Sequence, residues 1–472
     1  MQVRNPRTGQ LDYTLQVDSP SDIAAKVEAQ RADQKAWNKK GIDFRKDVIA
    51  KWLSAYTEIE EELVEALIID TGRIKIAHGE VQGIKGLIQA WMYMAPDMLV
   101  DQPERPSRSD AKVNIRQQRV PYPVVGVISP WNFPLLLAML DSLPALMAGC
   151  SVILKASEVT PRFLDPLEKS IQAVPELNKV FKIARGGAET GKAIVDNVDV
   201  ICFTGSVATG RIIGRHCAER FIPAFLELGG KDPAIVLKDA DLEVAADAVI
   251  RSCAGAAGQA CQSLERVYVH ESIHDAFIRI LKSKLSKIVL TDKDITEGEI
   301  GPLIFGKQAD KIAEHIQDAI DNGATLEHGG IPFQSDEGGM YCTPTLLTNV
   351  DHNMKVMTDE TFGPVIPVMT FTTDEEAIDM ANFGEFGLSG AVYSKDVDYA
   401  CQIASEIEAG AISINDGSLT NKIFDAEKNA FKMSGIGGSR MGAAGLLRFF
   451  RKKAFLIQTA HPQTIFEMGE GA

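Results

Sequence analysis

The stretches VVGVIS (124–129), SVILKAS (151–157) and DVICFTGS (199–206) decide the fold of this chain of 472 residues. Each is a mostly apolar run of the kind that forms a strand buried on both faces of a sheet. An apolar, helix-like segment (135–147) lies between the first two, and FKIARG (181–186) repeats the strand pattern. Strands that alternate with helices predict an α/β fold with a parallel sheet and right-handed crossovers.

A second α/β run occupies the C-terminal half of the chain. Its predicted elements are, in order, strand PAIVL (233–237), helix 242–257, strand RVYVH (266–270), helix 274–285, and strands PVIPVMTF (364–371) and LSGAVYS (388–394). Upstream of both runs, residues 23–37 and 44–67 carry apolar residues three and four apart among charges, which predicts helices. Between these helices and the first run, VNIRQQR (113–119) partly alternates, as an exposed strand does. The segment 446–460 changes from helix-like to strand-like.

Composition and charge are those of an ordinary globular protein. The chain is 45% hydrophobic and 24% charged, which excludes wholesale disorder, collagen and a coiled coil. With 64 acidic residues against 49 basic ones, the formal net charge is −15. A surface that binds nucleic acid is therefore not expected.

The seven cysteines are scattered, their number is odd, and no CxxC pair occurs. Neither a disulfide framework nor a metal site is predicted, and a reducing, cytoplasmic location is expected. The N-terminal stretch MQVRNPRTGQLDYTL (1–15) lacks the apolar core of a secretory signal.

One uncharged segment, 120–140, is long enough to span a bilayer. It contains Pro121, Pro123, Pro130 and Pro134, however, and prolines at that density interrupt a helix repeatedly. A buried strand, a turn and a buried helix are predicted instead, and no membrane partner is expected.

Two strand ends carry residues suited to a nucleotide. In FTGSVATG (203–210), Gly205 permits a tight turn, Gly210 lets the next helix pack closely, and the helix N-terminus offers N–H groups to an anion. Lys155 and Glu158 follow another strand end, where ligands bind open α/β sheets and an acid can accept from ribose hydroxyls. Each feature also has an ordinary alternative, a plain tight turn in the first case and solvated loop charges in the second.

Three further motifs contain groups that can do chemistry. The amide of Asn132, in ISPWNFP (128–134), could donate to a developing oxyanion, or it could bond within its own turn. Glu227, in LELGGK (226–231), lies among leucines, which raises a carboxyl pKa and suits a general base. Cys261, in GQACQS (258–263), could be a nucleophile if a positive field or a base activates it, or a buried structural cysteine.

In order and joint spacing these motifs resemble those of the aldehyde dehydrogenase superfamily, and the resemblance runs essentially from end to end. The matching segments are PWNFP, LKASEVTP, FTGSVATG, LELGGK, GQAC and ETFGPV (360–365). The distance from Glu227 to Cys261 also agrees with the family pattern.

The resemblance implies roles for individual residues. Cys261 would be the nucleophile, Glu227 the base that activates the deacylating water, and Asn132 would form the oxyanion hole with the Cys261 N–H. The residues implied in cofactor binding are Ser129, Trp131, Lys155, Glu158, Gly205, Ser206, Glu360 and Phe362. The implied cofactor is NAD, with NADP possible. Because the Glu158 carboxylate would repel a 2′-phosphate, NAD is the expected preference.

The implied reaction oxidises a small-molecule aldehyde to the carboxylic acid through a thiohemiacetal and a thioester on Cys261. The alternative is a (semi)aldehyde dehydrogenase that passes the thioester to coenzyme A, against which the presence of Glu227 argues. A non-catalytic structural member of the family would not need Cys261, Glu227 and Asn132. The match of HESIH (270–274) to a zinc protease motif is discounted, because His270 ends a predicted strand.

Two departures from the family pattern concern the substrate entrance. Glu427-Lys428-Asn429-Ala430 replaces a common Pro-Phe-Gly-Gly, and IGGSRMG (436–442) is one residue longer and lacks an acid that some members carry there. The helix after PWNFP is aliphatic (LLLAML, 135–140), which predicts a roomier or less aromatic pocket.

Three parts of the chain are expected from these patterns and the resemblance. They are a Rossmann-like dinucleotide-binding domain (1–100 and 122–229), a catalytic domain (230–440) and an oligomerisation element (101–121 and 441–472). An exposed strand at 113–119 is a liability unless another chain covers it, which predicts a homodimer or homotetramer.

Overall fold

The computed structural model describes residues 1–468, 470 and 471 of the chain. The elements before residue 122 are β1 (Gln2–Arg4), β2 (Leu11–Thr14), α1 (Pro20–Lys39), α2 (Gly41–Glu58), α3 (Glu60–Thr71), α4 (Ile74–Met98), β3 (Arg105–Pro106) and β4 (Val113–Pro121). Those that follow are β5 (Val124–Ile128), α5 (Pro134–Ala148), β6 (Ser151–Lys155), α6 (Leu164–Gln172), α7 (Pro175–Val180), β7 (Phe181–Ala184), α8 (Ala188–Asn197), β8 (Val200–Thr204), α9 (Val207–Glu219) and β9 (Ala224–Glu227).

The second α/β run begins at residue 232. Its elements are β10 (Asp232–Val236), α10 (Leu242–Ala254), β11 (Leu264–His270), α11 (His274–Leu285), α12 (Lys307–Asp321), β12 (Thr325–His328), β13 (Phe333–Gln334), β14 (Met340–Tyr341), β15 (Thr345–Thr348), α13 (Lys355–Thr358), β16 (Val365–Phe371), α14 (Asp374–Asn382), β17 (Phe386–Gly387), β18 (Ser389–Tyr393), α15 (Val397–Ser405), β19 (Ala411–Ile414), β20 (Phe431–Lys432), β21 (Gly435–Ile436), α16 (Gly442–Leu447) and β22 (Phe450–Gln458).

The first large sheet has six strands in the order β21-β9-β8-β5-β6-β7. All neighbours are parallel except β21, which runs antiparallel to β9. Strands β5, β6 and β8 are buried along their whole length, because helices cover both faces. The predicted parallel α/β sheet is confirmed.

The second large sheet has seven strands in the order β12-β15-β16-β11-β10-β18-β19. It is parallel except for the β12–β15 pair. A third sheet, β22-β4-β3, is antiparallel, and its two long strands pair over their full length, from Phe450 with Pro121 to Gln458 with Val113.

The domain limits remain a prediction, and the pairing of one strand bears on them. Strand β21 lies within the range expected for the catalytic domain (230–440), yet it pairs with β9 of the first sheet. The range 441–472 includes residues 469 and 472, which lie outside the described part of the chain.

Two of the predicted helices have different bounds in the structure. The stretch 44–67 is two helices, because Ile59 has the non-helical angles φ −109° and ψ 12°. The three glutamates that follow (60–62) lie at the N-terminus of α3, where the helix dipole favours negative charge. The helix predicted to end at residue 257 ends at Ala254, because the backbone beyond it turns left-handed.

Among the described residues, no helix combines the length and the apolar composition needed to cross a membrane. The uncharged segment 120–140 instead contains strand β5 and the start of helix α5, as the prolines predict.

Candidate active site

A cavity of about 1180 Å³ lies at the carboxyl ends of the strands of the first sheet. Its lining includes Asn132, Cys261 and all eight residues that the sequence places in cofactor binding: Ser129, Trp131, Lys155, Glu158, Gly205, Ser206, Glu360 and Phe362. Glu227 ends strand β9 and is not among the lining residues of the described chain. The structure therefore brings one end of a nucleotide-sized cleft to the candidate nucleophile.

Lys155 and Glu158 form a pair at the end of strand β6. The Lys155 Nζ lies 3.2 Å from the Glu158 carboxylate and donates to the Ala156 carbonyl at 3.2 Å. Burial lowers the pKa of Lys155, and the Glu158 charge opposes that shift. The Glu158 side chain is 36% exposed at the cavity wall, so its carboxylate can accept further bonds.

The FTGSVATG turn places a helix N-terminus against the same cavity. Ser206 is the N-cap of α9, and its side chain accepts a hydrogen bond from the Thr209 N–H at 3.3 Å. A Cβ on Gly210 would lie 2.5 Å from the Leu228 side chain, so the missing side chain lets α9 pack against the LELGGK segment. The predicted role of Gly210 in close packing is confirmed.

Asn132 is buried between α5 and the loop that carries Cys261. Its side-chain Nδ2 donates to the Gln259 carbonyl at 3.0 Å, and Arg73 donates to the Asn132 carbonyl at 3.1 Å. An amide nitrogen has two N–H donors. One bond therefore ties Asn132 to the Cys261 loop, not to its own turn, and leaves a second donor.

The loop before Cys261 has a strained backbone. Ala256 and Ala257 both have φ +56°, and Gly258 has φ +68°. Left-handed backbone costs about 1–2 kcal/mol at each residue that has a Cβ. A Cβ on Gly258 would overlap the carbonyl of Gly363, so only glycine fits there. Strain of this kind persists where the surrounding structure fixes it, and it is common at active sites.

Cys261 is half-buried and lines the cavity. Burial, with the carboxylates of Asp232, Glu360 and Glu227, raises its pKa to about 12. This environment disfavours the thiolate, so the surroundings of Cys261 in the free protein do not by themselves activate its sulfur. A Cβ on Gly230 would lie 2.6 Å from the Cys261 carbonyl, so a side chain there would displace the loop.

Glu227 has the environment of a general base. It is partly buried on β9, opposite Gly435 of β21. Burial raises its pKa, while Arg440 and Arg448 act in the opposite direction. A carboxylate with a raised pKa holds a proton more readily than an exposed one, as a base that works near neutrality must.

The segment with Glu360 and Phe362 is held by residues that the sequence did not reveal. The carboxylate of Glu265, on β11, accepts from the Thr361 N–H at 2.6 Å and the Phe362 N–H at 2.7 Å. Lys231 donates to Glu265 at 2.7 Å, and both side chains are buried. Glu360 accepts from the Gly230 N–H at 3.1 Å, and burial raises its pKa to about 7.

Aromatic rings form one wall of the cavity. Trp131 and Phe362 meet edge to face with centroids 5.4 Å apart, and Phe305 lies 6.0 Å from Trp131. Phe305, Arg73 and Glu265 were not predicted from the sequence, since each acts through a partner distant in the chain. A buried ion pair across motifs, such as Lys231 with Glu265, leaves no local pattern.

The HESIH match does not form a metal site. His270 ends strand β11 and His274 begins helix α11, with a 3₁₀ turn (Glu271–Ile273) between them. Within residues 1–468, 470 and 471, no group of three or more histidine, cysteine, aspartate or glutamate side chains has the geometry to hold a metal.

Comparison with known proteins agrees with this arrangement. The sequence profile of the "Aldehyde dehydrogenase family" matches residues 1–455. The chain is 31% identical to glutarate-semialdehyde dehydrogenase of Pseudomonas aeruginosa over 94% of this chain and 91% of that protein. It is similar to the solved structure of PutA from Anabaena variabilis, with 46% identity, a TM-score of 0.96 and 99% of both chains covered.

A second solved structure is betaine aldehyde dehydrogenase from Staphylococcus aureus in complex with NAD+. It shares 30% identity, with a TM-score of 0.92, over 98% of this chain and 95% of the other. The profile match and these identities show that the chain belongs to the aldehyde dehydrogenase family, as an enzyme that oxidises aldehydes to acids with NAD(P)+.

Proposed function

We propose that this protein is a hydrolytic aldehyde dehydrogenase in which Cys261 is the nucleophile, Glu227 the base and Asn132 an oxyanion donor. The observation that carries the proposal is that one nucleotide-sized cavity is lined by Cys261 and Asn132 together with the residues expected to bind the cofactor. Glu227 ends strand β9 and lies close enough to Cys261 to influence the pKa of its thiol.

The cavity fits a nicotinamide dinucleotide on several counts. The Ser129 hydroxyl is buried and has no hydrogen-bond partner within the described chain, although it lines the cavity. A ligand hydroxyl or phosphate would satisfy it. In this proposal Lys155 and Glu158 bind the adenosine ribose, Gly205 and Ser206 the pyrophosphate, and Glu360 and Phe362 the nicotinamide end; all six line the cavity. A nicotinamide held there would supply the acceptor for the hydride that the substrate carbon loses.

The chain's own residues account for the remaining chemistry. The Cys261 thiol releases its proton to water as its sulfur forms a bond to the aldehyde carbon, and the oxyanion that develops accepts from the free Asn132 N–H and the Cys261 backbone N–H. After oxidation the acyl group is a thioester on Cys261. Glu227 takes a proton from water, whose oxygen attacks the thioester carbon. The carbon–sulfur bond then breaks, the proton passes from Glu227 to the departing sulfur, and the Cys261 thiol and the carboxylic acid are the products.

Water is the proposed acyl acceptor, rather than coenzyme A. The support is Glu227, a carboxylate whose pKa is raised by burial. Such a group activates a small nucleophile such as water, whereas coenzyme A brings its own thiol.

We infer the substrate class from Lys428, which lies in the unusual Glu427–Ala430 segment. Lys428 is half-buried, and its Nζ donates to the Thr420 carbonyl at 3.0 Å. Burial lowers its pKa, while Glu227 and Cys261 oppose the shift, so the ammonium lies within electrostatic range of both. A cation so placed favours an aldehyde that carries a carboxylate, as in the glutarate-semialdehyde enzyme, over a quaternary ammonium such as betaine aldehyde.

A panel of carboxylate-bearing, neutral and quaternary-ammonium aldehydes tests this function, with reduced nicotinamide followed by absorbance. The expected order of kcat/KM is acidic first and cationic last. The Lys428→Met variant should lose about tenfold in kcat/KM for the acidic aldehyde and little for a neutral one of equal length, since one charge-assisted contact contributes about 1.5–3 kcal/mol at most. A chain that oxidises none of these with either cofactor would contradict the function, and a cationic preference would contradict the substrate class.

NAD+ is the proposed preference over NADP+. A 2′-phosphate at about 4 Å from the Glu158 carboxylate would cost on the order of 4 kcal/mol at an effective dielectric near 20. Since Glu158 is partly exposed, screening reduces this to about tenfold to a hundredfold discrimination. The Glu158→Ser variant should therefore gain NADP+ activity relative to NAD+, measured as the ratio of the two kcat/KM values. An unchanged ratio would mean that Glu158 is not the discriminating residue.

We propose that the protein is a cytoplasmic homodimer or homotetramer. All seven cysteines are free, as in reducing compartments. Strand β22 is an edge strand of nine residues with the apolar side chains of Phe455 and Leu456 exposed. Such an edge is normally covered by another chain, and the mass of the protein in solution would show whether it is.

A further inference from the structure

A buried ionic cluster lies behind the candidate base. Asp141, on helix α5, accepts a hydrogen bond from Arg440 at 2.6 Å and another from Arg448. Arg440 precedes helix α16 in the chain, and Arg448 follows it. The side chains of all three are no more than 7% exposed. Two guanidinium groups against one carboxylate leave an excess of one positive charge in the protein interior.

The cluster lies on the face of strand β9 that carries Glu227. Residues two apart on a strand point to the same face, so Phe225 and Glu227 share one. The Arg448 guanidinium lies 4.9 Å from the centre of the Phe225 ring. Gly435 of strand β21 pairs with Glu227, and Arg440 lies four residues after the end of this strand. The Nε atom of Arg440 is buried and has no hydrogen-bond partner within the described part of the chain.

The charges that act on Glu227 come from several elements. Burial raises its pKa, Arg440, Arg448 and Lys428 lower it, and Asp141 raises it. The charge of Glu227 in turn acts on two cysteines, Cys202 and Cys261, and raises the pKa of each. Reciprocally, Asp141 and Glu227 raise the pKa of Arg440, so this guanidinium stays charged despite its burial.

We propose that Arg440, fixed by Asp141, is a positioning residue that supplies the positive field in which Glu227 works as an ionised base during thioester hydrolysis. The inference rests on the proposed function, because it takes Glu227 to be that base. Arg440 touches neither substrate nor cofactor in this proposal, and it acts only through Glu227. Formation of the thioester does not need Glu227 and should not depend on Arg440.

The sign of the expected pH effect follows from the charges. A base works in its ionised form, so hydrolysis accelerates as the pH rises through the pKa of Glu227. Removing the Arg440 charge removes a group that lowers this pKa. The midpoint of the pH profile should then move to higher pH, and a shift of one unit lowers the ionised fraction tenfold below the midpoint.

The Arg440→Gln variant tests the proposal in the full-length enzyme, because glutamine can still donate to Asp141 and preserve the fold. The first NADH release should keep its amplitude of one per active site. At pH values below the midpoint, steady-state turnover should fall about tenfold for a shift of one unit, and it should recover as the pH is raised. The Arg440→Lys variant keeps the charge and should keep the midpoint near that of the wild type.

Two results would overturn the proposal. One is a loss of turnover in Arg440→Gln that is equal at every pH, which indicates a structural role. The other is a midpoint that moves in Arg440→Lys as far as in Arg440→Gln. The Glu227→Gln variant separates this failure from that of the proposed function: if it turns over normally, the base assignment fails, whereas a stalled Glu227→Gln with an unshifted Arg440→Gln contradicts only the role of Arg440.

Discussion

Replacing Cys261 by alanine is expected to abolish aldehyde oxidation with the fold intact. Without the sulfur no covalent adduct can form, and loss of a nucleophile typically lowers kcat by 10⁴-fold or more, on the order of 10⁶ in some enzymes. The side chain is half-buried at the cavity wall, so its removal should cost about 1 kcal/mol of folding free energy or less. The measurement is the rate of NADH production, with a thermal unfolding curve beside it.

The matched control for this variant is Cys401→Ala. Cys401 is exposed on helix α15 and is not among the cavity-lining residues of the described chain, so its replacement should leave turnover unchanged. Turnover in the Cys261→Ala variant at more than about one per cent of the wild-type rate would contradict the covalent mechanism.

Replacing Glu227 by glutamine is expected to separate the two halves of the reaction. The amide preserves the shape of the side chain but cannot accept the proton of the attacking water. The variant should release up to one NADH per active site and then stall, with steady-state turnover lowered by about 10²–10⁴-fold. Rapid-mixing absorbance gives the amplitude of the first release, and the later slope gives hydrolysis.

An exposed glutamate provides the comparison for Glu227. Glu243→Gln, on the first turn of helix α10, removes one carboxylate at the surface and should show neither the stall nor the loss of turnover. If Glu227→Gln turns over at the wild-type rate in steady state, another group activates the water.

Much of the fold could be predicted because its signals are local. Strands β5, β6 and β8 are buried on both faces, and a run of apolar residues indicates such strands without knowledge of their neighbours. The break at Ile59 could not be predicted in this way, because apolar spacing continues across it and only the backbone angles show that the helix ends.

The candidate site also has residues that could be predicted from the local sequence and others that could not. Short motifs at strand ends and in turns contain Asn132, Glu227 and Cys261. In such motifs the local sequence determines where the side chain lies. The partners that hold these side chains in place have no such local signal. Asn132 bonds to the Gln259 carbonyl, 127 residues away, and Asp141 bonds to Arg440, 299 residues away. Asp141 lies within an apolar helix, where the sequence alone indicates only an isolated charge. Such partners become visible only when the chain is folded.

The mass of the intact chain after mixing the Glu227→Gln variant with NAD+ and an oxidisable aldehyde tests the central claim most directly. The account expects one added acyl group per chain, located on Cys261 by peptide mapping, and no addition in the double variant that also carries Cys261→Ala. An unmodified chain that has released NADH, or an acyl group on another residue, would contradict a mechanism in which Cys261 holds the thioester and Glu227 releases it.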